Sequence, residues 1–340
     1  TRTLGYDAAS RLTSLTDPHN TLSFGYDAID RLIQVTGGPV DQSFQYDPNG
    51  NRTSLTAGTD TTTYTYISGS NRLGSYDGPS PRTYGYDANG SPTGDGVHTY
   101  TYDARNRLVA VDGGATATYT LNDLGQRVEK RAAISPIPGD ANGDGVITTA
   151  DFNLAVNVIL KQATAAGGAD CNRDNQVNVQ DLVCMNSVIA SGGSPAGIAT
   201  YFAYDEQGQL IGEYDSQGNP IEETVYFQGM PVATVQGGTA YYVYADHLGT
   251  PRVITDATNT VLWRWDSTAF GETAPNEDPD GDGIDFAYNL RFPGQYFDGE
   301  TGLRYNYLRS FNAETGRYQS GDPIGLDGGP NIYIYGSFEF

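Results

Sequence analysis

Apolar and polar positions alternate with period two along most of the chain, in short runs broken by Asp, Asn and Gly. Thr61-Thr62-Thr63-Tyr64-Thr65-Tyr66 is one such run, and its spacing sets both tyrosines on one face of a strand. The breaks are turn chemistry, with Gly or Asn able to take positive φ, so the pattern predicts one β-hairpin after another. The hairpins recur. Tyr6, Tyr26, Tyr46, Tyr66 and Tyr86 stand 20 residues apart, and Tyr102 and Tyr119 follow after 16 and 17. Around most of them lies one phrase, aromatic-x-Tyr-Asp followed four residues later by Arg-Leu, as in Phe24-Gly25-Tyr26-Asp27 with Arg31-Leu32. A lone hairpin is marginal, so neighbouring repeats must pair side by side to bury the aromatic face. A residue type that returns in every period serves packing and turns, and each Tyr-Asp pair is read as scaffold.

Toward the C-terminus the phrases sharpen. Tyr244-Ala245-Asp246-His247-Leu248-Gly249-Thr250-Pro251-Arg252 is one, and Glu300-Thr301-Gly302-Leu303-Arg304-Tyr305-Asn306-Tyr307 another, with Asp322-Pro323-Ile324-Gly325-Leu326 near the end. These segments resemble the Rhs/YD-repeat family, to which the C components of insecticidal toxin complexes and the YD shell of teneurins also belong. The resemblance covers about 1–132 and 198–336. It implies a mainly β chain, a YD-repeat hairpin sheet curved or spiralling into a shell or filament wall, in the family often around a toxin. The expected division is YD repeats at 1–135 and 194–286, with an Rhs repeat-associated core at 287–340.

One island breaks the period. Residues 136–193, flanked by Pro, Ser, Ala and Gly, hold two copies of the pattern D-x-N-x-D-(G/N)-x-(I/V)-x-x-x-D, thirty residues apart. A twelve-residue calcium loop takes oxygen ligands from positions 1, 3, 5, 7 and 12, with 9 often acting through water. Those positions are Asp140, Asn142, Asp144, Val146, Thr148 and Asp151 in the first loop, and Asp170, Asn172, Asp174, Gln176, Asn178 and Asp181 in the second. Each loop leads into an apolar helical pattern, Phe152 to Ile159 and Leu182 to Ile189. Loop-then-helix in duplicate, with Asp at position 12, resembles a dockerin type I module: a small all-α insert binding calcium. That resemblance implies a protein partner, a cohesin-like domain or another copy of this chain. Cys171 and Cys184, the two cysteines, are candidates for a disulfide from loop to helix; two unpaired thiols are the alternative.

Charge narrows the partners. Forty-one acidic against 19 basic residues give a formal net charge of −22, which repels phosphate backbones and argues against nucleic acid. No apolar run approaches the roughly 18 residues of a membrane span. Two cysteines weakly favour an oxidising compartment, and a secreted or cell-surface location is expected. The chain opens at Thr1 in mid-pattern without methionine and reads as a fragment of a longer precursor.

Two signals are weaker. Asp278, Asp280 and Asp282 lie in a short acidic loop of calcium-binding type, without a following helix. Asp322-Pro323-Ile324-Gly325 resembles half of the Rhs self-cleavage motif; its second half is not in this sequence, so self-cleavage is not expected. His19, His98 and His247 are scattered. The chain is therefore expected to be an extracellular structural and docking protein with no catalytic residue, able to assemble through open sheet edges into a filament. The alternative is a fragment of a toxin-delivery shell.

Overall fold

The computed structural model describes residues 2–17, 20–132, 141–142, 147–164, 169, 171, 177–190 and 198–335. Among these, twenty-six strands and two α-helices follow the predicted order. Every strand pairs antiparallel with its sequence neighbour inside each sheet. Nine strands, from β1 (Thr3–Tyr6) to β9 (Arg82–Thr83), form one sheet. A hairpin of β10 (Gly85–Tyr86) and β11 (Pro92–Gly94) follows, then eleven strands from β12 (Tyr100–Tyr102) to β22 (Val261–Arg264). A last sheet has four, from β23 (Tyr296–Asp298) to β26 (Arg317–Tyr318).

The repeated phrase has a repeated mechanism. Asp27 Oδ1 accepts the backbone N–H groups of Ile29 and Arg31, while its Oδ2 accepts Arg31 Nε at 2.7 Å, so one aspartate builds the turn and holds its arginine. Asp7 with Arg11 and Asp103 with Arg107 do the same. The tyrosine before the aspartate sits at a bulge, between Gly25 and Tyr26 or between Gln45 and Tyr46. Its hydroxyl reaches into the preceding hairpin. Tyr26 donates to the Leu12 carbonyl at 2.8 Å, Tyr46 to Leu32 at 2.9 Å and Tyr66 to Arg52 at 2.9 Å. The arginine of that hairpin covers the ring, Arg11 over Tyr26 at 5.2 Å and Arg31 over Tyr46 at 5.0 Å. Tyrosine recurs because one side chain supplies apolar area and a lateral hydrogen bond together.

The third residue after each turn aspartate takes a left-handed conformation: Gly50 at φ 81°, Gly90 at 85°, Ser10 at 64°. A Cβ at Gly50 would meet nothing within 4 Å, so Gly50→Ala isolates the conformational cost. It is expected to destabilise the chain by about 1 kcal/mol, read as a lower denaturant midpoint.

Laid flat, the 9, 2 and 11 strands that precede β23 would span about 100 Å at ~4.8 Å per strand. The small sheet nevertheless packs against members of both long sheets. Phe311 and Tyr318 pack with Leu32, Phe44, Leu55 and Tyr64, Leu303 with Tyr100 and Tyr119, and Tyr296 and Tyr305 with Phe202. Trp263, Trp265 and Tyr288, all fully buried, extend this interior beside Val243 and Ile254. The long meander therefore curls round its own C-terminal segment.

The island leaves the ladder intact. β15 (Arg127–Ala132) pairs directly with β16 (Ile198–Tyr204), and Ala132 and Ile198 are register partners at the mouth of the insertion. An insert is tolerated where its ends lie this close.

Candidate functional site

Helices α1 (Thr149–Ile159) and α2 (Val179–Ala190) follow the two loops as the apolar spacing predicts. They pack round Ala141, Ala155, Ala169, Cys171 and Met185, a core separate from the sheets. Of the twelve proposed ligand positions, Asn142, Thr148, Asp151, Asn178 and Asp181 are among the described residues. Asp140, Asp144, Val146, Asp170, Asn172, Asp174 and Gln176 lie outside them.

Asp151 and Asp181 occupy the same place in the two copies, the third residue of each helix, and both are fully buried. Asp151 Oδ2 accepts the Thr148 backbone N–H at 2.8 Å and its hydroxyl at 3.1 Å, and Oδ1 accepts the N–H of Asn142 at 3.1 Å. Asp181 Oδ2 accepts the N–H of Asn178 at 2.8 Å. Thr148 and Asn178 each accept the second helical N–H, Ala150 and Gln180, so position 9 is also the helix cap. Among the described residues no basic side chain stands against Asp151. A carboxylate withdrawn from water needs a compensating charge, and the donor set of these loops, carboxylate, amide and hydroxyl oxygens, is what a hard divalent cation takes.

Cys171 and Cys184 are joined, tying the second loop to the second turn of α2 across 13 positions of sequence. Closing a loop of that size contributes about 3 kcal/mol in the chain-entropy account. Cys171→Ser with Cys184→Ser is accordingly expected to lower the melting temperature of the module and leave that of the sheets unchanged, as separate calorimetric transitions would show. On the outer surface α2 exposes Val179 and Val183, one helical turn apart.

The Asp278, Asp280 and Asp282 carboxylates come within 4.8 Å of one another. Asp278 already accepts the N–H groups of Gly281, Asp282 and Gly283, which shapes the loop. Partial desolvation and the charge of Asp282 push Asp280 above the usual carboxylate range. Asp322 is paired with Arg309 at 2.9 Å.

The interior holds charged groups that the hairpin pattern does not announce. Arg127 lies between the rings of Tyr119 and Tyr305, at 4.1 and 4.2 Å. It meets Asp298 of β23 through two hydrogen bonds of 2.6 and 2.8 Å, both side chains almost wholly buried. Lys130 adds contacts to Asp298 and Glu300. Arg52, equally enclosed, donates to the Tyr64 hydroxyl and to the Glu314 carbonyl. In the repeat phrase, Arg52 and Arg127 stand where Leu12, Leu32 and Leu108 stand in other repeats, and those leucines point inward. An arginine at a leucine position was the signal available in the sequence.

Glu213 and Glu222 are a second such feature. They are register partners on β17 (Leu210–Tyr214) and β18 (Pro220–Phe227), and both are buried. Tyr296 of β23 donates to Glu213 at 2.8 Å, and Gln236 to Glu222 at 3.0 Å. Burial pushes Glu213 up to about 7; burial and the charge of Glu213 push Glu222 up as well. No period-two count reveals this pair, because an inward glutamate alternates like any inward residue.

Two family models match separate parts of the chain. Residues 1–135 match the Teneurin YD-shell model, and residues 138–193 the Dockerin type I domain model. Toxin protein Tse5 of Pseudomonas aeruginosa is 42% identical over 127 residues, which is 37% of this chain and 9% of that protein. Double-stranded DNA deaminase toxin A of Burkholderia cenocepacia is 38% identical over 99 residues, 28% of this chain and 7% of that one. The tRNA3(Ser)-specific nuclease WapA of Bacillus spizizenii matches 74% of this chain at 26% identity, and 8% of its own length is covered. The chain thus spans less than a tenth of each of these relatives. Among solved structures, the Photorhabdus luminescens Tc holotoxin pore aligns over 98% of this chain and 18% of its own, with 16% identity and a TM-score of 0.43. These matches, to its repeats and to its island, support an Rhs/YD-shell protein with a dockerin-like region.

Proposed function

We propose that this chain is a structural segment of an extracellular or cell-surface YD shell whose inserted module binds two calcium ions and docks a protein partner. The observation that carries the reading is the duplicate pair of fully buried aspartates, Asp151 and Asp181, at the closing position of two matching loops. In the first loop Asp140, Asn142, Asp144, Val146, Thr148 and Asp151 hold the ion; in the second, Asp170, Asn172, Asp174, Gln176, Asn178 and Asp181. Calcium supplies the positive charge that lets acidic loops close, so binding and ordering of the module are coupled. The exposed Val179 and Val183 of α2 then offer an apolar docking face to a cohesin-like domain. The YD-shell match supports a wall, and no residue here is assigned a catalytic role.

Calorimetric titration of the whole chain with calcium is expected to show two sites, reduced to one by either Asp151→Asn or Asp181→Asn. Absence of binding at millimolar calcium overturns the reading. A second reading, that the shell delivers a toxin, is supported by the relatives named as toxins. A variable toxic segment in the full-length gene product is its test.

A further inference from the structure

The two faces of a curled sheet meet different surroundings, and in the first nine strands the outer face is hydroxyl and amide. Ser43 pairs across the sheet with Thr56 and Gln45 with Ser54, and Ser54 is in turn opposite Thr63. In the second sheet that rule fails over three adjacent strands, β18, β19 (Met230–Gln236) and β20 (Thr239–Ala245). Their inward positions are Glu222, Thr224, Thr234 and Val243, all buried. Their outward positions are Val225, Phe227, Met230, Val232, Tyr242 and Tyr244, each between 36% and 63% exposed. The register makes them neighbours: Val225 lies opposite Ala233, which lies opposite Tyr242, and Phe227 lies opposite Met230. Glu223 stands at the border of this patch and accepts a hydrogen bond from Tyr214. None of the six carries a charge, on a chain whose net charge is −22.

We propose that this outer face of β18–β20 is a dimer interface, and that its occupant is the same face of a second copy of the chain. The area supports a copy of equal size. Three aromatic side chains of ~150–250 Å² each when open and three smaller aliphatic ones, exposed to this extent, offer on the order of 600 Å² per copy. A pair then buries about 1,200 Å², the lower end of what stable specific interfaces bury. A patch of this size stands at the upper end of what a monomer ordinarily exposes, and such patches are often functional. Apolar sheet faces of matching twist pack on one another with interdigitated side chains, and a self-complementary patch closes as a two-fold dimer. Such closure differs from edge-to-edge extension into a filament. Long-range repulsion between two strongly acidic copies opposes the contact, so added salt strengthens it.

Sedimentation or light scattering of the whole chain across micromolar concentrations tests this. The expected particle is a dimer, twice the 36.5 kDa of the chain, favoured by salt and unchanged when calcium is removed with a chelator. The calcium insensitivity separates it from assembly through the dockerin-like module. Replacing Val225, Phe227 and Tyr242 by threonine copies the first sheet's outer face and keeps β propensity. That variant is expected to dissociate at least about tenfold more readily, since exposed aromatics at an interface centre carry much of its affinity. Hydrogen exchange should show β18–β20 protected by concentration in the parent and not in the variant. A chain that stays monomeric at high concentration and high salt, or a dimer that the three substitutions leave intact, overturns the proposal.

Discussion

Replacing Asp298 by alanine is expected to destabilise the chain by about 3–5 kcal/mol, the usual cost of orphaning one member of a buried ion pair. Arg127 has no way to reach water. Its guanidinium is fixed between Tyr119 and Tyr305, its backbone N–H donates to the Tyr305 hydroxyl at 2.8 Å, and its carbonyl accepts from Tyr204. With Asp298 removed, one cation stays buried, and Lys130 keeps its ion pair with Glu300 and its place over the Tyr296 ring. The effect should fall on the joint between the wall and the segment it encloses, because Arg127 belongs to β15 and Asp298 to β23. Arg127→Leu restores the residue type of the other repeats. Combined with Asp298→Leu it is expected to recover most of the loss, since an apolar pair of similar volume costs little where a half-removed ion pair costs much. Chemical denaturation of the parent, the single variant and the double variant measures both. Equal stability of parent and Asp298→Ala would mean that the pair does not hold the joint.

The second large effect is on pH. Glu213 has a folded pKa near 7, against an ordinary value of 4.5, so its neutral form is the one the fold prefers. The stability it contributes is present in full below pH ~4.5 and is lost as pH rises through about 7. Glu222, raised by burial and by its neighbour, moves in the same direction. The groups facing the pair are Tyr296 and Asp298 from β23, Lys130 and Arg127 from β15, and Gln236 from β19. Each pKa unit corresponds to about 1.4 kcal/mol, so the midpoint of thermal unfolding should drop clearly between pH 5 and 8. Glu213→Gln, which keeps an acceptor for Tyr296 and cannot ionise, is expected to flatten that limb. At the acid end the sign reverses. Backbone and arginine hydrogen bonds hold Asp7 below the ordinary range, and Asp27 and Asp103 are lowered by the same partners despite partial burial. Their contribution is lost as pH falls below about 4. A parent chain whose melting temperature is flat from pH 5 to 8 would remove the buried pair as its cause.

Local pattern carried much of this structure. The hairpins follow from period-two alternation and from an aspartate that can bond two backbone N–H groups of its own turn. The two helices follow from apolar spacing after each acidic loop, and the place of the insert from the break in the twenty-residue period. These are interactions within a few residues, and a sequence displays them directly.

What the sequence by itself determined is the wall's repeating unit, its turn chemistry and the composition of two candidate calcium loops. Only the tertiary structure decided what the tyrosine-lined face covers: the chain's own C-terminal segment, with Asp298 brought to Arg127 across 171 residues and two glutamates placed side by side away from water. Alternation states that a strand has an inside and an outside. It cannot state which distant residue will stand on the inside, and a buried charge takes its pKa and its energy from that neighbour.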